Sequence, residues 1–179
     1  PWRKKMLAST GIPFRVEESG YKENMKLKYA PRVLARRLAL EKAKKVAARH
    51  KDAVVIGADT FVVFRGKLLG KPVTPKRAIE MLEMMNGKAH TLLTGFAIVD
   101  SKTGRSISKA VGTRVTLRQL SDQEIKKYVQ TGEPLNAAGA YVIQGSGAQL
   151  IKKTEGDINN IAGLPIADVM KELKKFKIR

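Results

Sequence analysis

With 179 residues, 43% of them hydrophobic and 28% charged, the chain is long enough to bury one sizeable core and too apolar to be disordered. It has no cysteine, which excludes disulfides and thiolate chemistry, and no apolar stretch approaches the roughly 20 residues that span a bilayer. Its formal net charge of +19 has two interpretations. The charge could attract anions such as nucleic acid or nucleotide phosphates, or it could belong to an ordinary solvated surface rich in lysine.

The N-terminal third of the chain predicts a helix, a short strand, a loop and a second helix. The first helix ends at Gly11, and "IPFRVEES" (12–19) has the composition of a short strand. Residues 19–30 are polar and irregular, a loop long enough to have a function. Pro31 opens a strong helix, "PRVLARRLALEKAKKVAAR", whose leucines and alanines recur at the spacing of a buried face.

The middle of the chain predicts buried strands around one helix. "AVVI" and "FVVF" indicate two strands on either side of a corner at "GADT", residues 57–60. Thr74 and Pro75 are typical of an N-cap and a first helical turn, and this helix should end at Asn86-Gly87. "HTLLTGFAIVD" and "GTRVTLRQL" then predict long antiparallel strands joined through "SKTG".

The C-terminal third predicts two helices separated by a glycine-rich stretch. Ser121 and Glu124 form a capping box for "DQEIKKYVQ", which Gly132 ends. "AAGAYVIQGSGAQLI" follows, and a final helix fills about 165–176. Because helices and strands interleave without a break in composition, we predict one α/β domain, 1–179, with a mixed sheet. The lack of cysteine and of a secretory signal pattern makes a cytoplasmic location the default expectation.

Several familiar catalytic motifs are excluded. "GKLLGKP" has three residues instead of four between its glycines, and Pro72 stands where a phosphate-binding loop has a hydroxyl residue. "GSG" at 145–147 is too short for a dinucleotide-binding fingerprint. His50 and His90 accompany no G-x-S-x-G elbow, so we interpret both as structural or solvent-facing.

Carboxylates, lysines and amides in loops remain as candidates. Asp59, at the end of a buried strand, could bind a hard cation or accept a proton from water, or it could cap the next turn. Lys71, projected from the rigid corner before Pro72, suits phosphate oxygens or is an ordinary surface lysine. Gln144 either contacts a base or phosphate or is a satisfied core amide.

Several blocks of the sequence, in order, resemble the Maf family. The longest is "VVIGADTFVVFRGKLLGKPVTPKRAIEMLEMMNGKAHTLLTGFAI", and the others are "PWRKKMLASTGIPFRV", "LALEKAKKVA", "YVQTGEPLNAAGAYVIQGSGAQLI" and "GDINNIAGLPIADVMKEL". Together they cover nearly the whole chain. In the family an N-terminal strand with S-x-S precedes the position of Pro1, so we expect this chain to lack that strand.

The resemblance implies a fold and an activity. The expected fold is two-lobed α/β with a strongly curved mixed sheet flanked by helices and a central cleft, similar to inosine triphosphate pyrophosphatase, in a homodimer. The expected activity is hydrolysis of nucleoside or deoxynucleoside triphosphates to the monophosphate and pyrophosphate, with Mg²⁺ or Mn²⁺. Such an enzyme cleans the nucleotide pool, and the family is linked to septum formation and the arrest of cell division.

The same resemblance assigns catalytic and phosphate-binding residues. It makes Asp59 the proton acceptor that activates water and also a metal ligand, with Glu23 as the second metal-binding carboxylate. Lys71, Lys42 and Arg3 match the residues that hold phosphates in the family. A metal ion is also expected from electrostatics, because an acidic pair alone would repel a triphosphate.

Three further positions relate to the choice of base. Thr60 and Gln144 match the pyrimidine-preferring subfamily. Trp2 resembles instead the subfamily that hydrolyses 7-methylguanosine triphosphate, since an indole can stack on a cationic base. Pyrimidine and modified nucleotides therefore both remain open as substrates.

The alternative function is a non-catalytic, basic nucleic-acid-binding module. The charge of +19 favours it, whereas an aromatic content of 6% and the lack of a reading motif argue against it. We therefore expect nucleic acid to make only a weak electrostatic contact, and we expect no membrane partner.

Overall fold

The computed structural model describes residues 2–22 and 29–178. Helices α1 to α6 are Trp2–Ala8, Pro31–Ala47, Pro75–Met85, Asp122–Gln130, Ile158–Ile161 and Ile166–Leu173. Strands β1 to β5 are Val54–Phe64, Lys67–Leu69, Ala89–Asp100, Ser106–Leu117 and Ile151–Glu155. Short 3-10 helices are Glu133–Asn136, Ala138–Ala140, Ser146–Leu150 and Lys174–Phe176. Within the described ranges, no helix is long and apolar enough to cross a membrane.

The strands form a sheet in the order β2-β1-β3-β4-β5. β1 pairs antiparallel with β2, with Val62 opposite Leu69, and β4 pairs antiparallel with β5, with Arg114 opposite Glu155. The predicted α/β class is confirmed, with an antiparallel sheet in place of the mixed one. No two neighbouring strands are parallel because α3 connects β2 to β3, and β1 lies between these two strands in the sheet. β2 and β3 run in the same direction but are not neighbours.

The chain divides into two compact units, which we describe separately. The first consists of Pro1–Asp59, Thr94–Val111 and Gly163–Arg179, and the second of Thr60–Leu93 and Gly112–Ala162. Each unit has an apolar core of its own.

The core of the first unit includes two groups of packed side chains among the described residues. In one, Phe96 of β3 packs with Val169 and Leu173 of α6. In the other, alanines of α2 pack against Ala97 and Val99 of β3. Because alanine side chains are short, the backbone of α2 comes close to β3.

The core of the second unit combines strands with α3 and α4. Its buried side chains include Val62, Leu82, Met85, Leu117 and Ile125. Full burial of one such side chain contributes about 1.5–3 kcal/mol before the entropy of ordering is subtracted.

The predicted ends of two helices in this unit are confirmed. The Thr74 hydroxyl accepts a hydrogen bond from the backbone N–H of Arg77 at the start of α3. At the start of α4, Ser121 and Glu124 form both hydrogen bonds of the predicted capping box. After α3, the side chain of Asn86 bonds both the N–H and the C=O of Leu120, at 2.8 Å each, so the helix ends there.

Two predicted features of the first unit are wrong. Residues 12–19 form no strand, and Val16 is 67% exposed. The segment is held by side chains instead, with Arg49 donating to the Glu18 carbonyl at 2.8 Å. The corner at "GADT" is also absent, because Val54–Phe64 is one continuous strand.

Candidate active site

Asp59 lies within β1 rather than at the end of a strand, and its carboxylate is buried against α2. The Lys42 ammonium donates to Asp59 Oδ1 at 2.6 Å, and only 11% of the Asp59 side chain is exposed. Side chains two residues apart on a strand point to the same face, so Asp59 and Gly57 both face α2. The structure therefore brings Asp59 and Lys42, two of the predicted site residues, into direct contact.

Gly57 allows α2 to lie close enough for that contact. A Cβ at Gly57 would lie 2.4 Å from the Ala39 carbonyl oxygen and 2.9 Å from the Cβ of Ala43, the residue after Lys42. Any side chain at this position would move the helix, and with it the Lys42 ammonium, away from Asp59. Gly57, which the sequence assigned to a corner, instead allows α2 to pack closely beside the Asp59 carboxylate.

Arg3 is fixed next to the same segment of β1. Its Nη1 donates to the carbonyl of Ala58 and its Nε to the carbonyl of Gly163, both at 2.8 Å. In the first unit, Lys42 thus lies at the Asp59 carboxylate and Arg3 lies at the carbonyl of the preceding residue. Cations fixed next to a carboxylate are suited to hold an anionic substrate beside a proton acceptor.

Trp2 stands at the start of α1 and is 36% exposed. The ammonium of Lys5 lies 4.8 Å from its ring centroid, in a cation–π contact. The indole therefore already accepts a cation on its ring, which is the type of contact that the prediction assigned to it. Glu23, the predicted second metal ligand, lies outside the described residues.

Lys71, Thr60 and Gln144 belong to the second unit. Lys71 is exposed in the segment between β2 and α3, and the backbone on both sides of it is hydrogen-bonded. The Gly70 carbonyl accepts from the Gly139 N–H at 3.1 Å, and the Val73 N–H donates to the Leu135 carbonyl at 3.2 Å. The lysine is therefore presented to solvent from a segment whose backbone is held on both sides.

The other two residues of the second unit are half-buried. Thr60 lies in β1, and Gln144 lies in the turn between Tyr141 and the 3-10 helix that begins at Ser146. Neither is part of the apolar core group, although Gln144 follows the packed side chain of Ile143.

Glu133 is a residue that the sequence reasoning missed. Its carboxylate accepts four hydrogen bonds, from Ser146 N at 3.0 Å, Ser146 Oγ at 2.8 Å, Gly147 N at 3.1 Å and the Tyr128 hydroxyl at 3.0 Å. Burial alone would raise the pKa of Glu133, but these hydrogen bonds outweigh it and hold the pKa below its ordinary value. The signal in the sequence was a glutamate followed twelve residues later by the pattern "GSG".

The described residues contain no cluster of three or more His, Cys, Asp or Glu side chains that could hold a metal ion. Mg²⁺ commonly binds proteins through one or two carboxylates and takes its other ligands from water and substrate phosphates. The buried carboxylate of Asp59, a hard oxygen donor, fits that mode of binding.

Comparison with known proteins decides the family. A family model described as "Maf-like protein" matches residues 1–176. This chain belongs to the Maf-like protein family. The expectation from the sequence is thereby confirmed.

Maf-like relatives share the sequence over almost its whole length. A protein named dTTP/UTP pyrophosphatase from Moorella thermoacetica is 43% identical over 178 residues, which is 99% of this chain and 92% of the relative. Proteins of the same name from Geobacter sulfurreducens and Bacillus cytotoxicus are 40% and 39% identical over 176 residues, which is 98% of this chain and 92% and 91% of those relatives. The expected enzyme class, a nucleotide pyrophosphatase, is confirmed.

Proposed function

We propose that this Maf-like protein is a metal-dependent nucleoside triphosphate pyrophosphatase that acts on dTTP and UTP. The bond cleaved is the anhydride between the α- and β-phosphates, and the products are the monophosphate and pyrophosphate. The observation that carries the proposal is the buried Asp59 carboxylate held at 2.6 Å by Lys42. The names of the relatives support the choice of bases.

In the proposed reaction Asp59 removes a proton from the attacking water. The proton goes to the carboxylate oxygen that does not bind Lys42, while the water oxygen bonds to phosphorus and pyrophosphate leaves with the electrons of the broken P–O bond. The cations of Lys42 and Arg3 oppose the charge that develops on the phosphates. Lys71 retains the phosphate-holding role that the family resemblance implies.

A divalent cation, Mg²⁺ or Mn²⁺, belongs to the proposal. Asp59 would hold it together with Glu23, and it would supply stabilisation of the negative charge on the departing pyrophosphate. The homodimer and the link to septum formation also remain proposals. The mass of the particle in solution tests the first, and the cell length of a deletion strain tests the second.

A panel of nucleotides tests the proposed activity. Pyrophosphate release is measured for dTTP, UTP, CTP, GTP and 7-methyl-GTP, each with Mg²⁺, with Mn²⁺ or with excess chelator. We expect dTTP and UTP to be hydrolysed fastest and the chelator to abolish turnover. Tight, salt-sensitive binding of single- or double-stranded nucleic acid without hydrolysis of any nucleotide would favour the binding module instead.

The role of Trp2 in base selection has a separate test. Trp2→Arg removes the stacking surface, so we expect the ratio of activity on 7-methyl-GTP to activity on dTTP to fall. Trp2→Phe keeps an aromatic ring and is the matched control, with an unchanged ranking of substrates. If Trp2→Arg also leaves the ranking unchanged, Trp2 does not select the base.

A further inference from the structure

The turn that carries Gln144 is anchored on both sides by side chains from α4 and from the 3-10 helix that follows it. On its C-terminal side, Ser146 and Gly147 donate three hydrogen bonds to the Glu133 carboxylate. On its N-terminal side, the Val142 N–H donates to the Tyr128 hydroxyl at 3.0 Å. The Tyr128 hydroxyl in turn donates to Glu133 Oε1, so a single carboxylate connects the two anchors.

The two glycines of "GSG" are required by this arrangement. A Cβ at Gly145 would lie 2.5 Å from Glu133 Oε2, and a Cβ at Gly147 would lie 2.6 Å from the Tyr128 hydroxyl oxygen. Both contacts are closer than real Cβ atoms tolerate. The turn can therefore rest on Glu133 and Tyr128 only because these positions have no side chain.

We propose that Glu133 is a positioning residue for base recognition, which fixes the 142–147 turn and thereby the amide of Gln144. The inference rests on the proposed function, in which Gln144 contacts the base. The Glu133 side chain points to the backbone of the turn and to Tyr128, so its effect on the substrate is exerted through Gln144. It is assigned no part in moving a proton or holding a phosphate.

An ionised carboxylate suits this position because all four of its partners donate. Each of its oxygens accepts two hydrogen bonds, Oε1 from Tyr128 and Gly147, and Oε2 from Ser146 twice. Glutamine has nearly the same shape but can accept on one atom only, so its NH₂ group would face two donors. Glu133→Gln therefore loosens the turn without creating a cavity. The hydrogen bonds that are lost are bonds to a charged group, which are stronger than those between neutral groups.

Hydrogen exchange tests the structural half of the proposal without any nucleotide. We expect Glu133→Gln to raise the exchange rates of the amides of Val142, Ser146 and Gly147 by about tenfold or more, the factor expected for the loss of one charged hydrogen bond. Glu80→Gln, which alters an exposed carboxylate bound to Arg77, is the matched control and should leave these rates unchanged. Unchanged exchange in Glu133→Gln would overturn the proposal.

A double-mutant cycle tests the functional half. Discrimination is the ratio of kcat/KM for dTTP to kcat/KM for GTP, measured for the wild type, Glu133→Gln, Gln144→Ala and the double variant. We expect Glu133→Gln to reduce discrimination by about tenfold, mostly through a higher KM for dTTP, and to have no further effect when Gln144 is already alanine. Effects that multiply in the double variant would show that Glu133 does not act through Gln144.

Gly145→Ala provides a second variant in case Glu133→Gln folds poorly. It keeps the carboxylate but places a Cβ against Oε2, so it should reduce discrimination and raise exchange in the same turn. If the wild type is active and the effects of Glu133→Gln and Gln144→Ala on discrimination multiply, only the positioning role of Glu133 is contradicted. A wild type that hydrolyses no nucleotide contradicts the proposed function, and the exchange experiment still decides whether Glu133 fixes the turn.

Discussion

Stability towards acid should depend on His90, a histidine buried in the second unit. Its Nε2 lies 2.8 Å from the Tyr141 hydroxyl, and 3% of the residue is exposed. Burial lowers the pKa of His90 from 6.5 to about 4, and the backbone of Lys88 opposes this shift only in part. The folded protein therefore holds this histidine neutral at pH values where the unfolded chain already binds a proton.

The size of the effect follows from linkage. The unfolded chain takes up a proton near pH 6.5 and the folded chain only near pH 4, so this contribution is complete above pH 6.5 and is lost as the pH falls to about 4. The difference between the two pKa values corresponds to about 3 kcal/mol of unfolding free energy. That is a substantial share of the 5–15 kcal/mol that is typical of a folded domain.

Urea unfolding between pH 7 and pH 4 measures this loss. We expect His90→Gln, which cannot titrate, to be less stable than the wild type at pH 7 but to lose about 3 kcal/mol less over this range. His50→Gln is the matched control, because His50 lies at the surface beside Glu17 and the change should leave the large loss in place. Parallel pH profiles for the wild type and His90→Gln would refute the reasoning.

Two further predictions concern the first unit. Gly57→Ala should lower the free energy of unfolding by about 1–3 kcal/mol, because the added Cβ overpacks against α2. It should also slow hydrolysis, because the shifted helix separates Lys42 from Asp59. Gly70→Ala is the control, because its Cβ meets nothing within 4 Å and should leave stability nearly unchanged. Thermal and urea unfolding with pyrophosphate release check both effects, and a Gly57→Ala protein with wild-type stability would contradict the packing argument. Glu172→Gln should lose about 1.5–3 kcal/mol in urea unfolding, because the buried Glu172 carboxylate accepts hydrogen bonds from two lysines at 2.6 and 2.8 Å. Asp52→Asn is the control, because it removes an exposed charge that pairs with Lys102, and it should lower the free energy of unfolding by less than about 0.5 kcal/mol. Equal losses in Glu172→Gln and Asp52→Asn would contradict the role of burial.

Local signals predicted much of the fold. The N-caps at Thr74 and Ser121 act over three or four residues, so the sequence specifies them completely. The same is true of the turn at residues 101–104, which joins β3 to β4. The class of the fold follows from such elements in their order, and here it was predicted correctly.

The errors arose where distant parts of the chain decide the conformation. Four small or polar residues at 57–60 are typical of a corner, but contact with α2 explains the glycine and β1 runs straight through them. "IPFRVEES" has the composition of a strand, yet no described strand pairs with it. Backbone pairing of this kind cannot be read from local composition.

The site was predictable to a different extent in its different parts. The resemblance to a family pointed to Asp59 and Lys42, but their contact joins residues seventeen positions apart and needed the structure. Glu133 was missed because its role depends on four donors that come together only in the folded chain. A half-buried carboxylate that accepts two hydrogen bonds on each oxygen is the structural feature to look for in such cases.

The central claim is that Asp59 is the group that accepts a proton during nucleotide hydrolysis, and Asp59→Asn tests it most directly. The measurement is the rate of pyrophosphate release from dTTP with Mg²⁺, with circular dichroism to establish that the fold is kept. We predict a fall of about 10²–10⁴-fold, the range typical of a general base, while Asp52→Asn retains wild-type turnover. A folded Asp59→Asn protein within tenfold of the wild-type rate would contradict the account.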